Sequence, residues 1–198
     1  MTNRYVFPRS RRVLAPAGGF PAPWDVLKLR AHIDPESNRP SLYLQQSFAT
    51  KDFTPFFCSS GKAALFHLFS FLREKEALEV VALSACTCPD IALAASRAGM
   101  KILPLDIDAG SLDFSDSAPG TVTEACVKVL LLSNLYGLPN SLAPWQGLLD
   151  NGLICIDDAC QSVLSSSSEG RVGFRAGLIG IASFGRGKAS SGAGGGAI

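Results

Sequence analysis

Val127-Lys128-Val129-Leu130-Leu131-Leu132 carries one charge in an otherwise unbroken apolar run. Apolar residues fill both odd and even positions of its second half, so a strand here has no polar side to turn to water. Such runs belong to strands covered on both faces, the condition of parallel sheets flanked by helices. On either side the pattern repeats. Short apolar runs at Glu79–Leu83, Lys101–Ile107, Leu153–Ile156 and Ile179–Phe184 read as further strands. Between them, Lys62–Arg73 places Ala64, Leu65, Leu68, Phe69 and Leu72 at helical spacing, and Ile91–Ala98 and Leu142–Leu149 read as helices. Strands alternating with helices predict an α/β fold, a three-layer α/β/α sandwich with a mostly parallel sheet.

The sandwich pattern starts near Phe53. Residues 1–50 are rich in Pro, Arg and Gly, with a single helical stretch at Trp24–His32, and read as an N-terminal arm. Arg4, Arg9, Arg11 and Arg12 precede the first acid, Asp25, as in a transit peptide, but the prolines oppose the amphipathic helix that one needs. A cytoplasmic protein is the expectation. The 198 residues are 47% hydrophobic and 18% charged, enough to bury one sizeable core. The net charge of +1 gives no electrostatic case for nucleic acid or anionic lipid, and no apolar run has the length of a membrane span. Six cysteines are expected as free, buried thiols. Cys86 and Cys88 do not have a zinc-knuckle spacing, and His32 and His67 lie in separate regions, so no metal site is expected.

Ligands of open α/β sheets collect beyond the carboxyl ends of the strands. Asp157-Asp158 follows Leu153–Ile156. Ser183 stands at the end of Ile179–Phe184 and Lys188 follows it, within Ser183-Phe184-Gly185-Arg186-Gly187-Lys188. Cys58-Ser59-Ser60-Gly61 opens the Lys62–Arg73 helix, with Ser59 or Ser60 as the cap. Each has an ordinary reading: a solvated strand-end acid, a loop lysine, a capping serine. Together they supply an anion-binding helix start, a carboxylate and an amine. These suit a phosphate, a protonated ring nitrogen and an aldehyde, the three handles of pyridoxal 5'-phosphate (PLP).

The motifs resemble those of PLP-dependent aminotransferases of the DegT/DnrJ/StrS type. Cys58-Ser59-Ser60-Gly61-Lys62-Ala63-Ala64-Leu65 is similar to that family's S-G-T-x-A-L turn. Ala98-Gly99 with Leu103-Pro104-Leu105-Asp106-Ile107-Asp108 is similar to A-G…V-D-I-D. Asn134-Leu135-Tyr136-Gly137-Leu138-Pro139 resembles H-x-Y-G-x-P, and Asp157-Asp158-Ala159-Cys160-Gln161 resembles E-D-A-A-Q. Ser183-Phe184 through Lys188, then Gly195-Gly196-Ala197-Ile198, resembles S-F-x-x-x-K…G-G-A-I.

The resemblance implies the aspartate-aminotransferase-like fold (fold type I). Residues 51–198 would be the PLP-binding large domain, cut short, with the small C-terminal domain absent. It implies Lys188 as the Schiff-base lysine and proton carrier, and Asp158 as partner of the pyridinium nitrogen. Gln161 would bond the phenolic oxygen. Ser183 and the N–H groups of Gly61 and Lys62 would hold the phosphate. Lys62 replaces the family's threonine, and its ammonium can reach toward the same anion. Cys88 stands where an aromatic ring covers the cofactor. Asn134 replaces a histidine, Leu178 an aspartate and Gly194 an acid.

The implied activity is amino transfer from a small-molecule donor to a keto-sugar, nucleotide-linked. A homodimer, or a partner chain supplying the missing domain, goes with it. The alternatives are a non-catalytic relative serving as a partner or regulatory subunit, and a dehydratase or decarboxylase on the same fold.

Overall fold

The computed structural model describes residues 54–163, 165–185, 187–188 and 194–198. The arm expected over residues 1–50, with its helix at Trp24–His32, lies outside the described residues. The strands in chain order are β1 (Phe57–Cys58), β2 (Val80–Ser84), β3 (Lys101–Leu105), β4 (Val129–Leu132), β5 (Ile154–Asp158), β6 (Ser166–Ser167), β7 (Gly170–Arg171), β8 (Ile179–Ser183) and β9 (Gly196–Ala197). The helices are α1 (Gly61–Lys75), α2 (Pro89–Arg97), α3 (Ala118–Glu124) and α4 (Gln146–Asp150). The main sheet runs β1-β9-β8-β5-β4-β2-β3. From β8 to β3 every pairing is parallel, while β9 pairs antiparallel with both β8 and β1.

All four residues of β4 are 0% exposed, as the run at Val129–Leu132 demands. Alternation sends Val129 and Leu131 into one core, with Val81, Leu83, Ile156 and Ile181 of neighbouring strands. Ala64, Leu65, Leu68, Phe69 and Leu72 of α1 and Ile91, Ala94 and Ala95 of α2 close over that face. Leu130 and Leu132 enter a second core with Ala118, Val122 and Trp145 on the opposite face. Helices therefore cover both faces of the parallel sheet.

Several elements differ from the sequence expectations. The helix α3 was not expected. Its sequence, APGTVTE, is poor in helix formers, but Ala118 and Val122 lie one turn apart and both are buried, so packing overrides propensity. The helix expected at Leu142–Leu149 is split into a 3-10 turn at Ala143–Trp145 and α4. Trp145 is 1% exposed and meets Phe114 edge-on at 5.3 Å. The strand expected to end at Ile156 continues through Asp158, so both aspartates lie within β5. The serine run read as loop contains β6, which pairs with β7 in a hairpin. The cysteines are free, but Cys86, Cys88 and Cys126 are exposed instead of buried because they sit in turns outside the two cores.

The parallel strands reverse direction of travel at β2. The chain steps outward from β2 to β3, then back across to β4, β5 and β8. Doubly wound sheets bind ligands beyond the carboxyl ends of the strands at such a reversal, here the ends of β2 and β4. The loops from those two ends are tied by Thr87 Oγ1 and Ser133 Oγ, 2.7 Å apart.

Gly180 in β8 marks the tightest backbone approach here. A Cβ at this position would stand 1.9 Å from the Gly173 carbonyl oxygen, which is main chain and cannot swing aside. Gly180→Ala is expected to destabilise the fold by about 1–3 kcal/mol or more, the scale of overpacking a filled site. Urea denaturation of the two proteins measures it, and an unchanged midpoint would show that the β7–β8 segment yields freely.

Candidate active site

Helix α1 begins where β5 and β8 end. Ser60 is its cap: the hydroxyl accepts the Ala63 N–H at 3.1 Å, and its carbonyl accepts the Ala64 N–H. That leaves the Gly61 and Lys62 amides as helix-start donors without an intrahelical acceptor. Gly61 must be glycine here. An added Cβ would lie 2.8 Å from Ser183 Cβ, 3.1 Å from Ser183 Oγ and 3.3 Å from Cys160 Sγ. The same figures place the Ser183 hydroxyl and the Cys160 thiol beside the helix start. Gly196 of β9 packs against the Ser60–Gly61 peptide from another side. Two amides, a hydroxyl and the positive end of a 15-residue helix form a cradle for an anion. The Lys62 ammonium is not part of it. It pairs with Asp90 Oδ2 at 3.4 Å, well exposed on the α2 side, so Lys62 offers the cradle its main chain alone.

The two adjacent aspartates of β5 point to opposite faces. Asp158 shares the parity of Ile154 and Ile156 and lies on the α1 side. It is 4% exposed, and Oδ1 accepts the Cys160 N–H at 2.9 Å. Burial pushes its pKa up, while the thiol and amide of Cys160 and the charge of Lys188 pull the other way. The Cys160 thiol is pushed far up, first by burial and then by Asp158, with Lys188 opposing. Lys188 is thus close enough to act on both groups. It is half-buried, and its main-chain N–H donates to the Gly185 carbonyl. Cys88, exposed at the start of α2, acts electrostatically on the same Cys160. Gln161 follows: Oε1 accepts the Tyr136 N–H at 3.0 Å, and the amide's NH₂ is a donor. The structure therefore brings Gly61, the Lys62 main chain, Asp158, Ser183 and Lys188 together around Cys160, with Cys88 at the edge, while Gln161 next to Cys160 is held by the Tyr136 N–H.

Asp157 faces the other side and is 0% exposed. Oδ2 accepts from Gly173 N–H at 2.6 Å and Arg175 Nε at 3.0 Å, and Oδ1 from Asn134 Nδ2 at 2.8 Å and an Arg175 terminal nitrogen at 2.5 Å. Its lone pairs are used within the protein, so Asp158 alone is left to meet a ligand. Sequence reading missed Arg175, a lone arginine in a glycine-rich stretch, and nothing in its neighbours marks it as buried. Asn134 carried a signal: asparagine tolerates the left-handed backbone, and here its φ is 41°.

An apolar cavity of about 280 Å³ lies across β8, between Phe56, Phe174, Leu178 and Ile198. Ala159 and Ala182 line it, each one residue from a site residue and facing the other way. It contains none of the polar groups gathered at α1.

The sequence profile of the DegT/DnrJ/EryC1/StrS aminotransferase family matches residues 53–198. The chain belongs to that family. Its members use PLP. No curated protein matches the chain by sequence. Solved structures do match by fold. The sugar aminotransferase CalS13 from Micromonospora echinospora superimposes with a TM-score of 0.78 at 14% identity, over 93% of this chain and 53% of that one. An E. coli GDP-4-keto-6-deoxy-D-mannose-3-dehydratase with bound hydrated PLP gives 0.74 at 21%, over 88% and 46%. A 3-amino-5-hydroxybenzoic acid synthase gives 0.69 at 22%, over 81% and 41%. This chain thus spans about half the length of these structures. The family and the neighbours agree with the three-layer architecture and its fold type I assignment.

The buried Asp158 carboxyl makes stability depend on pH. Its native pKa lies above its unfolded value, so the native state binds the proton more tightly. The cost of ionising it is absent below the unfolded pKa and grows as pH rises through the native one. Asp158→Asn keeps an oxygen for the Cys160 N–H and removes that cost. In the cofactor-free chain the variant is expected to be the more stable at pH 7, with the gain shrinking toward pH 4. Denaturant titrations across that range check it; a variant less stable at pH 7 would refute it.

Proposed function

We propose that residues 51–198 are the PLP-binding large domain of an aminotransferase that moves an amino group onto a keto-sugar, nucleotide-linked. One observation carries this reading: a buried carboxylate, a lysine and an anion cradle converge where α1, β5 and β8 meet. Family membership supports it. The residues fit the cofactor's three handles. Gly61 and Lys62 amides and Ser183 Oγ would hold the phosphate. Asp158, buried and short of a counter-charge, would take the protonated ring nitrogen. A cation there relieves the penalty that burial imposes on the carboxylate, so binding and ionisation favour each other. The Gln161 NH₂ would donate to the phenolic oxygen.

PLP supplies an electron sink for carbanion chemistry. Lys188 would be the residue that holds its aldehyde carbon, and its amine would be the group that carries a proton at the substrate carbon. Asp158 would keep the ring nitrogen protonated throughout. Cys88, where relatives place an aromatic ring, would set a thiol against the ring face and give less stacking area. The same reading takes the protein as a cytoplasmic homodimer. Phe66 and Phe71 of α1 and Leu93 of α2 expose apolar surface that a second copy could cover. Among the described residues no helix is long and apolar enough to cross a membrane.

The test is chemical. The chain is incubated with PLP, reduced with borohydride and digested for mass spectrometry. A phosphopyridoxyl group on Lys188 is expected, and the visible absorption band should vanish in Lys188→Ala. No adduct, or the same band in the variant, would overturn the reading. If the cofactor attaches, assays with keto-sugar nucleotides and an amino donor then separate amino transfer from dehydration and from a non-catalytic role.

A further inference from the structure

We infer that Arg175 is a positioning residue for the cofactor cradle, acting through Asp157 and Asn134 on Asp158 and Gln161. The inference rests on the reading of that cradle as the PLP site. Arg175 is 1% exposed, and its guanidinium meets Asp157, the Asn134 side chain, the Asn140 carbonyl and Glu169. Nε and a terminal nitrogen grip both oxygens of Asp157, at 3.0 and 2.5 Å. The other terminal nitrogen donates to the Asn140 carbonyl at 2.6 Å and reaches Glu169 at 3.5 Å. The first also reaches Asn134 Oδ1 at 3.3 Å.

From this hub two routes lead to the cradle. The first runs along β5. Asp157 and Asp158 share one backbone, so pinning Asp157 on one face fixes the strand from which Asp158 projects on the other. Asn134 tightens it, since Nδ2 bonds both Asp157 Oδ1 and the Asp158 carbonyl, at 2.8 and 3.1 Å. The second runs to Gln161. The Asn134 carbonyl accepts from Ser162 Oγ at 3.0 Å, next to Gln161. Two residues further on, the Tyr136 N–H holds the Gln161 oxygen. Asn134 and Tyr136, at φ 41° and 57°, adopt left-handed backbone, which asparagine tolerates but a tyrosine takes rarely. Asn140 returns two bonds to Asn134, its Oδ1 accepting the Asn134 N–H and its own N–H donating to Asn134 Oδ1. A packed core could fill this space without a charge. A fork of five donors suits a different task, holding a carboxylate, a carbonyl and an amide oxygen at fixed angles.

The test compares the parent chain with the paired variant Asp157→Asn/Arg175→Met, which leaves neither charge buried alone. Three quantities are read: PLP retention, the pH at which the bound cofactor's visible band titrates, and the rate at which iodoacetamide labels Cys160 without cofactor. The variant is expected to fold, by circular dichroism, yet to retain PLP about tenfold more weakly or worse, the size of effect that partners behind a metal's ligands have. Its band should titrate at a shifted pH, and Cys160 should label faster. Should the pair fail to fold, Asn134→Gly keeps the left-handed turn and removes the link to the Asp158 carbonyl; the same three changes are expected. A folded variant with parental values for all three overturns the inference. A parent that shows no cofactor band refutes the functional reading instead, and Cys160 labelling then decides the positioning role alone.

Discussion

A β-strand turns consecutive side chains to opposite faces, and in β5 that rule falls on two adjacent aspartates. Asp157 and Asp158 have the same chemistry and neighbouring backbone, yet they meet different surroundings. Asp157 is enclosed by Arg175, Asn134 and the Gly173 amide, all inside the protein. Asp158 meets Cys160 and the field of Lys188, and has capacity left over. The division between a carboxylate that holds the structure and one available to a ligand is made by strand geometry, before any particular neighbour is considered.

The two carboxylates also differ energetically. A buried ion pair gains little over a well-packed apolar pair, but breaking it by removing one partner costs several kcal/mol, roughly 3–5. Asp157 and Arg175 are thus mutually dependent. Asp158 is buried, and that desolvation raises its pKa against the opposing pull of Cys160 and Lys188. A group kept in an unfavourable state by the fold is a common mark of a functional position. The helix start at Gly61 is a second case, with donors left over by the geometry of the helix itself. Gly61 is small because Ser183 and Cys160 press against it, so the donors and the hydroxyl reach the same point.

Much of the fold was legible in the sequence. The doubly apolar run at Val129–Leu132 required cover on both faces, and the apolar spacing of α1 supplied it on one. Ser60, Asp158, Ser183 and Lys188 could be picked out as candidates because strand ends and helix starts are readable from local pattern, whereas Gln161 came only with the family resemblance. Helix α3 could not be read, since its residues disfavour a helix and only the burial of Ala118 and Val122 stabilises one. Arg175 was illegible for a related reason. Nothing within several residues of it explains its burial; its partners come from positions 134, 140, 157 and 169.

The sequence by itself determined the alternation of the parallel strands with the helices at α1 and α2, the apolar faces that make a layered sheet, and which residue types stand at the strand ends. Those properties depend on neighbours a few residues apart, and local periodicity records them. Tertiary structure alone decided that Lys62 turns its ammonium to Asp90, that Asp157 is consumed internally, and that Asn134 and Arg175 tie β4, β5 and the β7–β8 segment together. Each of these depends on groups that become neighbours only when the sheet closes, and a linear pattern carries no record of that meeting.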